Sequence, residues 1–128
     1  MMKKHISKCT LAIMTLGLLL WSGCTTSKVS DPRVEITDPL DNSIRIESID
    51  SINNDGESLI VQVSLRNHSP NTLKMLYKVD WFTGDGMVYD TMLSKWKKRQ
   101  AYGRESFIIK EVAPNPDIVS YRVQIRKD

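Results

Sequence analysis

Few side chains in this 128-residue chain have the reactivity that covalent chemistry needs. There are two cysteines, Cys9 and Cys24, and two histidines, His5 and His68. Cys24 follows the run "LLLWSG". A thiol in that place could be a core residue, half of a disulfide, a nucleophile, or the point at which the chain is cut and attached to a membrane. The residues before Cys24 decide among these alternatives.

The first 23 residues have the order of a secretory signal peptide. Three lysines come first, an apolar stretch occupies residues 11–21, and the small residues Ser22 and Gly23 end the segment. A membrane-spanning helix needs about 20 apolar residues, and this stretch has roughly half that number. We therefore predict that residues 1–23 are a signal peptide that is removed after export.

The residues around Cys24 resemble a bacterial lipobox, in which a peptidase cuts before a cysteine whose sulfur carries diacylglycerol. Gly23 and Ser22 match the small residues before the cut, whereas Trp21 stands where leucine is usual. The resemblance implies cleavage between Gly23 and Cys24, lipidation of Cys24, and, because Thr25 is not an aspartate, sorting to the periplasmic side of the outer membrane. Several acyl chains together make a stable anchor. An ordinary signal peptide cut at a neighbouring bond is the alternative.

Removal of the signal peptide changes the charge and the thiol content of the chain. The formal net charge of the full chain is +3, but residues 1–23 hold three lysines and no acids, so 15 basic and 15 acidic residues remain. A net charge of zero gives no general attraction for nucleic acid, and none is expected as a partner. With Cys9 removed and Cys24 lipidated, we expect no disulfide, although the periplasm would permit one.

The remaining chain divides into a polar segment and a β-rich segment. Residues 24–42 are polar and contain two prolines, which predicts the lipidated cysteine followed by a flexible tether, with a short edge strand possible at Val34–Ile36. From residue 43 to 128 apolar and polar residues alternate, and turn sequences such as "NNDGE" and "TGDG" separate the runs. The pattern predicts a small immunoglobulin-like antiparallel β-sandwich of six or seven strands. A partly open barrel is the alternative.

Three local features are less regular. The alternation breaks near Ser48 and near Ile108, which predicts a bulge at each place. Residues 91–100, "TMLSKWKKRQ", fit either a strand or a single helical turn.

The stretch "YKVDWFTGDGMV" and the closing "YRVQIR" resemble the YcfL-like family of small bacterial lipoproteins. The resemblance covers residues 57–126 and includes an Asn-x-Ser at Asn67, the aromatic residues Tyr77 and Trp81, and Gly86 in the following turn. It implies a lipid-anchored periplasmic domain to which no function is assigned.

The chain after the signal peptide carries little that would serve catalysis or metal binding. Its one histidine, His68, lies in a polar turn, and no nucleophile elbow is present. Zinc needs several histidine or cysteine ligands, and Asp80, Asp85 and Asp90 lack the dense spacing of a calcium loop. We therefore expect no enzyme activity, no cofactor and no metal.

The stretch "SKWKKRQAYGRE" is the candidate partner-binding site. An aromatic side chain among cations could hold a lipid headgroup, an anionic glycan or an acidic protein. The alternative is a solvated strand or loop with its tryptophan in the core. We expect a non-enzymatic binding module for another envelope component, protein or glycan. A structural lipoprotein without a ligand, or a small-molecule carrier or enzyme, is the alternative. The candidate residues are Lys95, Trp96, Lys97, Lys98, Arg99, Tyr102 and Arg104.

Overall fold

A computed structural model describes residues 30–37 and 39–128. The predicted signal peptide, the cleavage site at Gly23 and the lipidation site at Cys24 lie outside these residues. No helix in the described ranges is long and apolar enough to cross a bilayer. The described chain forms eight strands and one short 3-10 helix at Leu40–Asn42. The strands are β1 (Val34–Ile36), β2 (Ile44–Ile52), β3 (Ile60–Asn67), β4 (Leu73–Thr83), β5 (Val88–Tyr89), β6 (Lys97–Ala101), β7 (Ser106–Val112) and β8 (Ile118–Lys127).

The strands form two sheets, which confirms the predicted small β-sandwich. The five-stranded sheet has the order β1-β8-β4, and both β5 and β6 pair with the far side of β4. The three-stranded sheet has the order β2-β3-β7. The pairing of β1 with β8 is parallel, whereas the prediction had antiparallel strands throughout. No hairpin joins β1 to β8, so no turn fixes their relative direction.

The predicted alternation places the core correctly. Val63 on β3 and Val123 on β8 are fully buried, and Trp81 on β4 is 4% exposed. Because successive side chains of a strand point to opposite faces, each strand contributes every second residue to the space between the sheets.

The folded domain begins earlier than the sequence indicated. The sequence predicts a tether over residues 24–42 with a possible edge strand at Val34–Ile36. That strand is present as β1, and Val34 and Leu40 are buried in the core. Val34 lies opposite Val123 and Ile36 opposite Ile125, so β1 covers the free edge of β8. A segment with only a few well-placed apolar residues shows no sustained periodicity, yet it buries those residues once a sheet edge is available.

One of the two predicted bulges is present. The register of β2 against β3 shifts between Ile46 and Ser48, as the break in alternation indicated. The predicted bulge at Ile108 is wrong, because β7 pairs with β3 in unbroken register from Ser106 to Val112. The side chain of Ile108 faces outward and is half exposed. The apparent break in the apolar–polar alternation is therefore an apolar residue on the solvent-exposed face of a regular strand.

Candidate functional site

Strand β6 divides the basic stretch between two faces of its sheet. Lys98 lies opposite Leu76 of β4, whereas Arg99 lies opposite the fully buried Met75. Lys97 and Arg99 therefore point toward the space between the sheets, and Lys98 points to the outer face. Because consecutive residues alternate, the structure does not bring the candidate residues together on one surface.

Trp96 lies half buried on the outer face of the five-stranded sheet. The guanidinium carbon of Arg126 is 4.0 Å from the centroid of the Trp96 ring, and the Lys78 ammonium is 5.7 Å from it. Contacts of a cation with an aromatic ring contribute about 0.5 to 1 kcal/mol at exposed sites. Trp96 is thus outside the core and is held by cations from β4 and β8.

The charges around Trp96 are largely paired within the domain. The buried carboxylate of Asp80 lies 2.9 Å from the Lys78 ammonium and 3.1 Å from the Arg122 guanidinium. Lys98 lies 3.4 Å from the Asp128 carboxylate. A cation that already has a carboxylate partner contributes less electrostatic energy to the binding of an external anion. This face should therefore bind anions more weakly than the sequence indicated.

On the inner side, one carboxylate joins the two sheets. The Lys97 ammonium lies 2.6 Å from Oε1 of Glu111 on β7, and the Tyr77 hydroxyl donates to the same oxygen at 2.9 Å. The Arg99 guanidinium lies over the Phe107 ring at 5.6 Å. Lys97 and Arg99 therefore connect β6 to β7, a role that the composition of the stretch did not indicate.

The environment of Tyr77 raises its pKa from 10.0 to about 12. Burial is the main cause, and the hydrogen bond to Glu111 and the charge of that residue add to it. We expect Glu111→Gln to lower the pKa of Tyr77 toward its ordinary value, because the negative charge beside the phenol is removed while its burial remains. Tyrosinate absorbance during an alkaline titration measures this, and Tyr77→Phe identifies the titrating group.

The same shift makes stability depend on pH in the alkaline range. The folded-state pKa of Tyr77 is above the unfolded value, so its contribution is complete below pH 10.0 and is lost as pH rises toward about 12. The unfolding free energy should fall less steeply over this interval in Tyr77→Phe than in the wild type. Equal slopes in the two proteins would contradict the assignment.

Tyr102 and Arg104 lie in a turn that is hydrogen-bonded to the end of β3 and the loop that follows it. The Arg104 side chain donates to the carbonyl of His68. The side-chain amide of Asn67, which is fully buried, donates to the carbonyls of Asn71 at 2.8 Å and Tyr102 at 2.9 Å. Arg104 thus makes a structural contact within the domain. Asn67 makes the central hydrogen bonds between the turn and the loop, and the sequence marked it only through the Asn-x-Ser of the family resemblance.

A groove opens between the sheets on the side of β6 and β7. It encloses about 220 Å³, below the range of roughly 300 to 1,000 Å³ that is usual for small-molecule sites. Its floor includes Trp81 and the Tyr77–Glu111 pair, and its rim is formed by Leu93, Lys95, Val112 and Pro114. Leu93 is 69% exposed, so the rim is open and partly apolar. The exposed side chain of Val112 lies on the outer face of β7, because it alternates with the inward-facing Glu111. Of the residues that line the groove, Lys95 and Lys97 belonged to the predicted site.

The groove borders the free edge of β7. The Asn67 N–H donates to the Glu105 carbonyl, and the Ala113 N–H donates to the Leu59 carbonyl, both at 2.8 Å. In an antiparallel pair such bonded residues alternate with residues whose backbone groups point away. The outward set is Ser106, Ile108, Lys110 and Val112, and no strand in the described ranges lies beside them.

Two solved structures have a similar fold. A crystal structure of Campylobacter jejuni cj0090 has a TM-score of 0.65 and 20% sequence identity, and the match covers 77% of this chain and 100% of that one. A DUF1425 family member from Shewanella sp. pv-4 has a TM-score of 0.60 and 16% identity, with 66% of this chain and 78% of that one covered. Identities this low establish the fold alone. No match is found among curated proteins.

The family relationship comes from the sequence rather than from the fold. The family described as "Protein of unknown function (DUF1425)" matches residues 28–127. This span contains all eight described strands and both borders of the groove. The chain therefore belongs to the DUF1425 family of proteins of unknown function.

Proposed function

We propose that this protein is a YcfL-like lipoprotein, anchored through Cys24 on the periplasmic side of the outer membrane, whose sandwich binds another envelope protein by adding a strand to β7. The signal-peptide order of residues 1–23 and the small residues before Cys24 support the anchor. The domain acts without catalysis or a cofactor, since its binding groups are backbone amides and apolar side chains.

The main support for strand addition is that the outer edge of β7 is long, regular and unpaired in the described residues. Proteins usually protect a sheet edge by making it short, bulged or irregular. In the described residues, β1 has three residues, β2 contains a bulge, and the edge formed by β5 and β6 is interrupted by residues 90–96. Strand β7 has seven residues in regular register and is neither short nor bulged. Charged residues can also protect an edge. On β7 these are Lys110, which an acidic partner would pair, and Glu111, which is already paired with Lys97. Such an edge supplies main-chain hydrogen bonds to an added strand.

The Trp96 face is the second candidate surface. The stacked Arg126 and the exposed Lys98 favour an anionic glycan or headgroup there, as the sequence indicated. The pairing of Asp80 and Asp128 with the neighbouring cations reduces the available charge, so we rank this surface below the β7 edge. A structural lipoprotein with no discrete ligand is the remaining alternative.

Site-specific photocrosslinking in intact cells tests the proposed surface. A photoreactive residue is placed at Ile108 or Val112 on β7, which are 51% and 54% exposed. Matched controls are Ile52 on β2 and Val119 on β8, each 55% exposed. We expect one discrete adduct from the β7 positions and none from the controls, because an added strand contacts β7 alone.

Adducts that form equally from all four positions, or from none, would contradict strand addition at β7. A fifth photoreactive position, Lys98 on the Trp96 face, is included for comparison, and an adduct from it alone would favour that face instead. The same experiment therefore separates the two candidate surfaces.

A further inference from the structure

We infer that the strand received by β7 carries an acidic residue between two apolar residues, and that the groove beside β7 holds one of those apolar side chains. This inference rests on the proposed function, because it specifies the occupant of the same edge. It follows from the two faces that an added strand would present, one toward solvent and one toward the groove.

The register fixes which groups of β7 meet the incoming strand. Ile108, Lys110 and Val112 direct their N–H and C=O groups outward, so an antiparallel strand would form its hydrogen-bonded pairs with these residues. Their side chains lie on the outer face of the sheet and are exposed. Residues opposite them in the added strand therefore lie on the outer face, and the residues between point toward the groove.

The residues on the outer face of β7 determine which central residue of the added strand is favoured. Lys110 is exposed between Ile108 and Val112, and it forms no ion pair within the described chain. Opposite charges directly across a sheet stabilise the pairing by about 0.2 to 1 kcal/mol, and like charges oppose it. A carboxylate opposite Lys110 is therefore favoured. A second copy of β7 centred on the same residue would place two lysines opposite each other, so the occupant is a different chain.

The groove on the inner face determines which residues are favoured on either side of the central residue of the added strand. A side chain that points inward beside Glu111 would enter the groove near Leu93 and Pro114, above Trp81. The carboxylate of Glu111 is already paired with Lys97 and bonded to Tyr77, so the groove offers mainly apolar contact. Its volume of about 220 Å³ suits one apolar side chain better than a larger ligand. Lys95 at the rim adds a second positive charge for an acidic strand.

Peptide binding to the full lipidated chain in detergent micelles tests this inference. The probe is a labelled peptide, Thr-Val-Thr-Leu-Glu-Leu-Thr-Val-Thr, and binding is followed by fluorescence anisotropy. We expect replacement of its glutamate by lysine to weaken binding about 5-fold to 10-fold, as the change from opposite to like charge implies. Lys110→Glu should reverse this preference, and Lys74→Glu, an exposed lysine of the other sheet, should leave it unchanged. Leu93→Asn should weaken both peptides, because it removes the apolar rim without adding a charge.

The outcomes separate this inference from the proposed function. If crosslinks form at Ile108 and Val112 but the peptide charge and Lys110→Glu make no difference, strand addition stands and the acidic occupant is wrong. If a peptide methylated on alternate backbone nitrogens, those that face β7, binds as well as the unmodified one, strand addition itself is wrong. Self-association of the chain through β7, abolished by a β7 substitution, would identify a second copy as occupant and overturn the inference.

Discussion

Cells producing Cys24→Ala should incorporate no labelled palmitate into this protein, whereas the wild type should be labelled. The sulfur of Cys24 is the proposed attachment atom, and no other cysteine follows the predicted cleavage site. Each buried methylene contributes about 0.8 kcal/mol to membrane binding, so loss of the acyl chains removes the anchor almost completely. If the signal peptide is also exchanged for an ordinary cleavable one, the Cys24→Ala variant should be recovered as soluble periplasmic protein.

Cys9→Ala is the matched control for this experiment. Cys9 lies within the predicted signal peptide, so its replacement should leave labelling, cleavage and membrane association unchanged. Mass spectrometry of the mature N-terminal peptide gives an independent readout. Palmitate incorporation that persists in Cys24→Ala, or an unmodified Cys24 in the wild-type membrane fraction, would refute the lipoprotein assignment.

Gly103→Ala should destabilise the folded domain strongly. A Cβ at this position would overlap the carbonyl group of Pro70, and both partners are backbone, so no change of rotamer relieves the contact. Overpacking of this kind costs about 2 to 3 kcal/mol. For a domain of this size such a loss lowers the Tm by roughly 10 to 20 °C, which thermal unfolding followed by circular dichroism would measure.

Gly84→Ala is the corresponding control, since an added Cβ at Gly84 meets no atom within 4 Å. Its unfolding free energy should stay within about 0.5 kcal/mol of the wild-type value. The close approach at Gly103 is maintained by hydrogen bonds, one of which joins the Arg104 N–H to the Ser69 carbonyl at 3.0 Å. A wild-type Tm in Gly103→Ala would mean that the loop after β3 is not held against this turn.

The regular strands were predictable because their physical cause is local. Val61, Val63 and Leu65 alternate with polar residues, and a strand with one buried face requires that alternation. The same rule failed at Ile108, where an exposed apolar residue was interpreted as a bulge. The prediction failed at Ile108 because regularity there depends on tertiary contacts: only the pairing of β7 with β3 shows that the strand has no bulge.

The candidate binding stretch shows a second limit of sequence reasoning. Composition grouped Lys97, Lys98 and Arg99 as one basic cluster, but the pleat of β6 sends the middle residue to one face and its neighbours to the other. Glu111, which pairs with Lys97, is 14 residues away in sequence, and no local signal connects them. Likewise, Leu93 in the loop between β5 and β6 and Val112 on β7 both line the groove, although no local signal connects them.

The sequence by itself determined the class of fold, and it predicts a signal peptide, lipidation at Cys24 and a neutral charge for the remaining chain, because all of these depend on composition and on short-range periodicity. The tertiary structure decided that Val34 and Leu40 join the core, that the basic stretch is divided between two faces, and that β7 has an open edge beside a groove. These features depend on which strands become neighbours, and neighbours in a sandwich are set by burial of the whole core rather than by any single segment.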